Sequence, residues 1–123
     1  MSLQTDNKEL VRRIMEDGFN QQDLSVIDDS FHDDYVRRGY GMKDAGSLAQ
    51  HRADLIAQHE AIRDAKFTIQ QMLAEGDTVA VYFVLTGEAK RSGSRVEQHL
   101  AAFFRVAQGR VAEGTVITTG WEP

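Results

Sequence analysis

From Lys66 to Thr119 apolar and polar side chains alternate with a period of two, which predicts long β-strands resting one face on a core. Ala74-Glu75-Gly76 and Ala107-Gln108-Gly109 each put a glycine third in a short connection. That spacing predicts a type I turn closed by a left-handed residue and a bulge, pairing Leu73 with Asp77 and Val106 with Arg110. Carried outward from those turns, the pairing puts Phe67, Ile69, Gln71 and Leu73 on one face with Val79, Val81, Phe83 and Leu85. Gln98, Leu100, Ala102, Phe104, Val106, Ala112, Gly114, Val116 and Thr118 complete that nearly apolar face. The other face is mixed, with Met72, Tyr82, Val84, His99, Ala101, Phe103, Arg105, Val111, Glu113 and Ile117. The longer connection from Glu88 to Arg95 allows the middle pair to slip by two, which changes partners but not faces.

Upstream the period changes to that of a helix. Leu10, Val11, Ile14, Met15, Gly18 and Phe19 mark one face of a helix over about Asn7–Asn20, with Asp6 and Glu9 as a capping box. Leu24, Ile27 and Phe31 predict a second, shorter helix capped by Asp23. Gly39, Gly41 and Gly46 punctuate a loop, and Tyr35-Val36-Arg37 could add a short edge strand. A third helix over roughly Gly46–Arg63, capped by Ser47 or Asp44, carries the stripe Leu48, His51, Leu55, His59, Ile62. The expected layout is α+β: three N-terminal helices packed on the concave face of a curved antiparallel sheet, forming one domain over 1–123.

Composition removes several functions. With 123 residues, no cysteine and a net charge of −5, the chain carries no disulfide, thiolate nucleophile or cysteine-held metal. It lacks a clustered basic run for nucleic acid and an apolar run long enough for a membrane helix. A cytoplasmic location is expected, without cofactor or metal. His51 and His59 are no metal pair, since eight helical residues separate them by about 12 Å.

The order Phe31-His32-Asp33-Asp34-Tyr35-Val36, then Asp64-Ala65-Lys66-Phe67-Thr68-Ile69, Ala74-Glu75-Gly76-Asp77-Thr78-Val79-Ala80-Val81, Phe103-Phe104-Arg105-Val106 and Gly109-Arg110-Val111-Ala112-Glu113 resembles the SnoaL-like, polyketide cyclase-like branch of the nuclear transport factor 2-like superfamily. The resemblance covers nearly the whole chain. It implies a cone-shaped α+β barrel, a deep pocket between helices and concave sheet, and often a homodimer through the convex face. It also implies catalytic positions: the cyclase acid on the last strand falls on Val116 and its neighbour on Ala102, while the two acids of the similar ketosteroid isomerases fall near Gly39 and Ala102. None of these is an acid here.

Any base for proton abstraction must then come from helices or loops. His51 is one candidate, or else a hydrogen-bonded core histidine; Asp34, after the second helix, is another, or else a solvated turn residue. Tyr35, Arg38 and Tyr40 lie at the same pocket mouth and could orient an oxygenated ligand, while Arg37 and Arg38 read equally as plain surface charges. The expected ligand wall comprises Tyr40, Leu55, His59, Phe67, Gln71, Val81 and Phe83. Gln98, Leu100, Phe104, Val116, Thr118 and Trp121 continue it. Three readings stay open: a binding protein for an apolar, oxygen-bearing small molecule; a cyclase- or isomerase-type lyase with a relocated base; or an association module without catalysis. The mixed face, with Tyr82, His99, Phe103, Arg105 and Glu113, is the expected homodimer surface, having an apolar centre and a charged rim.

Overall fold

Helix α1 (Leu3–Arg13) begins ahead of the expected Asp6 cap, so Asp6 and Glu9 lie inside the helix rather than at its start. The computed structural model describes residues 3–40 and 46–119. The helix runs on through a π-helical turn, Ile14–Phe19, in which the Asn20 N–H donates to the carbonyl of Met15 five residues back. The wider turn brings Ile14, Met15, Gly18 and Phe19 together onto the core. At Gly18 a Cβ would fall 2.6 Å from Cδ1 of Ile27, so the missing side chain lets α2 (Leu24–Ser30) lie close. Asp23 caps α2, accepting from the Ser25 N–H at 3.1 Å.

Strand β1 (Phe31–Tyr40) then intervenes, with β2 (Gly46–Ser47), before α3 (Leu48–Ala61), whose N-cap is Ser47. Four strands follow: β3 (Ile62–Glu75), β4 (Thr78–Ala89), β5 (Arg95–Ala107) and β6 (Arg110–Thr118). They form one sheet in the order β2-β1-β6-β5-β4-β3. The four-strand meander is as expected, and β4 and β5 keep the expected alternation. The helices are not consecutive, however, and the sheet is mixed, because β1 pairs parallel with β6, Arg37 lying opposite Gly114. The short edge strand expected at Tyr35-Val36-Arg37 is a ten-residue strand lying between β2 and β6, its full length masked by Asp33, Asp34, Arg37 and Arg38. The inner face of the sheet and the three helices enclose the core, with Phe31, Tyr35, Phe67, Phe83 and Phe104 all buried.

Both turns are tighter than expected. Glu75 pairs with Thr78 across Gly76-Asp77, and Ala107 with Arg110 across Gln108-Gly109. Gln108 and Gly109 both take positive φ, 55° and 77°, the mark of a two-residue I′ turn whose twist matches its strands. The extra residues sit further along the strands. A bulge between Ile69 and Gln71 turns Gln71 and Leu73 outward and brings Met72 and Ala74 to the core. A shift after Arg105 pairs Val106 with Val111, so Val111 is buried rather than on the outer face. On β3, the Asn20 side chain donates to the Phe67 carbonyl at 2.8 Å and accepts from the Phe67 N–H at 2.6 Å. One amide thus satisfies a stretch of an otherwise unpaired strand edge.

Candidate ligand site on the inner sheet face

In β1 the side chains alternate so that Tyr35 and Arg37 point into the core while Asp34 and Val36 face out. Arg37 is 5% exposed. Its guanidinium reaches α3, where one Nη donates to His51 Nδ1 at 3.1 Å and the other forms a very short ion pair with Asp54. His51 and Asp54 are three residues apart and so project from the same side of the helix. Three aromatic rings surround the imidazole: Phe31 at 5.2 Å, Phe19 at 5.4 Å and Tyr35 at 5.9 Å between centroids. The other ring nitrogen, Nε2, is buried and has no partner among the described residues, and the same holds for Nε of Arg37.

Burial, followed by the charge of Arg37, lowers the His51 pKa to about 4 against the weaker pull of Asp54. Burial likewise raises the Tyr35 phenol to about 12, partly offset by Arg37. Both groups are therefore neutral at pH 7. The Tyr35 hydroxyl fits over Gly114, where a Cβ would come within 2.5 Å of it.

A second polar pair stands on the same sheet face. The Gln98 side chain donates to Thr118 Oγ1 at 2.6 Å, and its Oε1 is buried without a partner among the described residues. Leu55 on α3 and Phe67, Val81, Phe83, Leu100, Phe104 and Val116 on the sheet are all buried members of the same core. Val116 pairs with Ala102, so the two positions that would carry the cyclase acid and its neighbour are adjacent and apolar.

The sequence-predicted residues divide. His51 joins the inner cluster, and Leu55, Phe67, Val81, Phe83, Gln98, Leu100, Phe104, Val116 and Thr118 line the inner face. His59 is tied down, its Nε2 at 2.7 Å from the Phe19 carbonyl, and it serves to fasten α3 to the π-helical turn. Gln71 is exposed on the outer face opposite Tyr82, turned there by the bulge. Asp34 is exposed, out of phase with Tyr35 and Arg37, and does not reach the inner face. Trp121 and the Tyr40 side chain lie outside the described residues. Sequence reasoning missed Arg37 and Asp54; the signal was available in the period-two phase linking Tyr35 to Arg37 and in the i, i+3 step from His51 to Asp54.

The outer face gathers the other polar set. His99 Nδ1 lies 2.7 Å from the Tyr82 hydroxyl and its Nε2 3.1 Å from Glu97. Arg105 and Glu113 pair at 3.1 Å. Leu73, Tyr82, Phe103 and Ile117 are exposed beside them.

Solved structures of low sequence identity share the fold. A protein from Jannaschia sp. CCS1 assigned as a SnoaL-like polyketide cyclase superposes with a TM-score of 0.85 at 23% identity, over 97% of this chain and 89% of that one. IdmH of Streptomyces antibioticus, assigned as a polyketide cyclase, gives 0.83 at 20% identity over 92% and 91%. An LEH-like epoxide hydrolase of M. tuberculosis gives 0.78 at 16% identity over 95% and 85%. No curated protein matches. The SnoaL-like domain model matches residues 11–114, and with a cone-shaped α+β fold of that type the chain belongs to the SnoaL-like family.

Proposed function

We propose that the protein binds a mainly apolar, oxygen-bearing small molecule between α3 and the inner face of the sheet. One observation carries this reading: His51 Nε2 and Gln98 Oε1, a ring nitrogen and a carbonyl oxygen, are buried without partners among the described residues, on an inner face that is otherwise mainly apolar. Buried polar groups are ordinarily paired, and an orphan costs roughly 1–3 kcal/mol. Ligand sites have this character, mostly apolar with a few fixed polar atoms. The solved neighbours assigned as polyketide cyclases support an oxygenated, ring-forming class of molecule.

Binding is favoured over cyclase- or isomerase-type turnover by the chemistry of the inner face. Val116 and Ala102 offer no acid, and Asp34 faces away. The association reading is supported as an additional property by the outer patch of Leu73, Tyr82, Phe103 and Ile117, rimmed by Arg105, Glu113 and His99. A homodimer through that patch leaves the inner face free.

The test is displacement of a naphthalene-based fluorescent dye by 2-acetylnaphthalene. The dye is expected to bind the unmodified protein, and Leu100→Arg, which pushes a charge into the inner face, is expected to abolish binding while the circular dichroism stays native. Dye binding unchanged in Leu100→Arg would move the site elsewhere.

A further inference from the structure

We infer that the Arg37 guanidinium holds His51 as the neutral imidazole with its proton on Nε2, and that this N–H donates to an acceptor oxygen of the bound molecule, making His51 a hydrogen-bond donor rather than a base. The ligand half rests on the binding reading above; the tautomer does not.

A guanidinium has only donors. With Nη1 of Arg37 at 3.1 Å, Nδ1 of His51 must present its lone pair, and a neutral imidazole then carries its single proton on Nε2. Turning the ring over would face a C–H to the guanidinium and lose the bond. Protonating Nδ1 would set two donors against each other. The Arg37 charge is in turn held by Asp54, so helix α3 supplies both the imidazole and the carboxylate that fixes its partner.

Among the described residues the charged and titratable groups facing the ring are few. From β1 come Arg37, which opposes an imidazolium, and Tyr35, which is neutral; from α3 comes Asp54, which favours one but is engaged by Arg37. Phe19 and Phe31 contribute no charge. The proton on Nε2 is therefore retained across neutral pH, and Nε2 is buried with no acceptor among the described residues. What such a nitrogen recognises is an oxygen lone pair: a ketone, an ester carbonyl or an enolate. In a reacting ligand the same N–H would stabilise charge developing on that oxygen, as a fixed donor does in an oxyanion site. Base chemistry at this nitrogen is excluded because it already bears the proton.

Two measurements on the full chain decide the matter. The first is nitrogen-detected NMR of labelled histidine side chains between about pH 5 and 8, the range in which an ordinary histidine titrates. One ring with the Nε2–H pattern and no titration is expected, and that signal should vanish in His51→Gln. A set of rings that all titrate, or a His51 proton on Nδ1, overturns the inference whether or not anything binds. The second compares 2-acetylnaphthalene with 2-isopropenylnaphthalene, which replaces the carbonyl oxygen by a CH2 of similar shape. The ketone is expected to bind about fivefold more tightly, the gap closing in His51→Leu and partly returning in His51→Gln, whose amide keeps an N–H. Equal affinities in the unmodified protein overturn the donor role and leave the binding reading intact. Binding of neither compound overturns the binding reading and the donor role together, and the tautomer then stands or falls on the spectrum alone.

Discussion

A half-buried histidine whose ring is held neutral stores a pH dependence. The unfolded chain protonates His51 near pH 6.5, whereas the folded chain does so only near pH 4. Between those values the unfolded state binds more protons, so stability rises with pH there. The His51 contribution is complete above about pH 6.5 and is lost as the pH falls toward 4, by roughly 3 kcal/mol. Urea unfolding at several pH values should show this acid limb, and His51→Leu should flatten it; a limb unchanged in the variant would assign it to other groups. The partner of Arg37 can be tested in the same way. Asp54→Ala leaves a buried guanidinium without its counter-ion and should cost about 2 kcal/mol. Glu113→Ala removes ion pairs with Arg38 and Arg105 whose side chains are half exposed, and it should leave the unfolding midpoint unmoved.

At the scale of elements, the bulge in β3 makes a distinctive prediction. Ile69 lies opposite Phe83 and Gln71 opposite Tyr82, so Gln70 is the surplus residue. Deleting Gln70 should restore a regular ladder from Lys66 to Glu75 with every other side chain on its present face, at a cost below about 1.5 kcal/mol. Deleting Val81 should invert the rest of β4 and prevent folding, a contrast that circular dichroism and proteolysis would reveal. Gly114→Ala, which drives a methyl toward the Tyr35 hydroxyl, should cost about 1–3 kcal/mol. These same features mark what the sequence could reveal. The faces of β4 and β5 were legible because Val79, Val81, Phe83, Leu85 and Leu100, Ala102, Phe104 alternate without interruption. The tip of β3 was not, because a bulge shifts phase without leaving a signature residue, and Leu73 looks as suitable for a core as Met72. The inner polar cluster was half legible: His51 announced itself on an apolar stripe, whereas Arg37 could be distinguished from Arg38 only once the phase of β1 was known.

For the whole molecule, the outer face is the main unexplained surface. Leu73, Tyr82, Phe103 and Ile117 are 61%, 39%, 45% and 49% exposed, a grouping that soluble monomers rarely leave uncovered. A two-fold contact would set this patch against its own copy, and Phe103→Glu would then bring like charges together at its centre. Light scattering at micromolar concentration should report a dimer for the unmodified protein and a monomer for the variant. A monomeric unmodified protein would end the proposal.

The parallel pairing of β1 with β6 also governs the order in which the molecule can assemble. Each β3–β6 neighbour is joined by a short turn, so the meander can zip locally, but Arg37 meets Gly114 only across a loop of roughly 75 residues. Such a closure contributes little until much of the sheet exists to receive it. The strand carrying Arg37 should therefore dock late, and mutations in β1 should accelerate unfolding far more than they slow folding. Until that step the His51 ring has nothing to fix its proton, so the binding chemistry of the inner face matures only with the last strand to arrive.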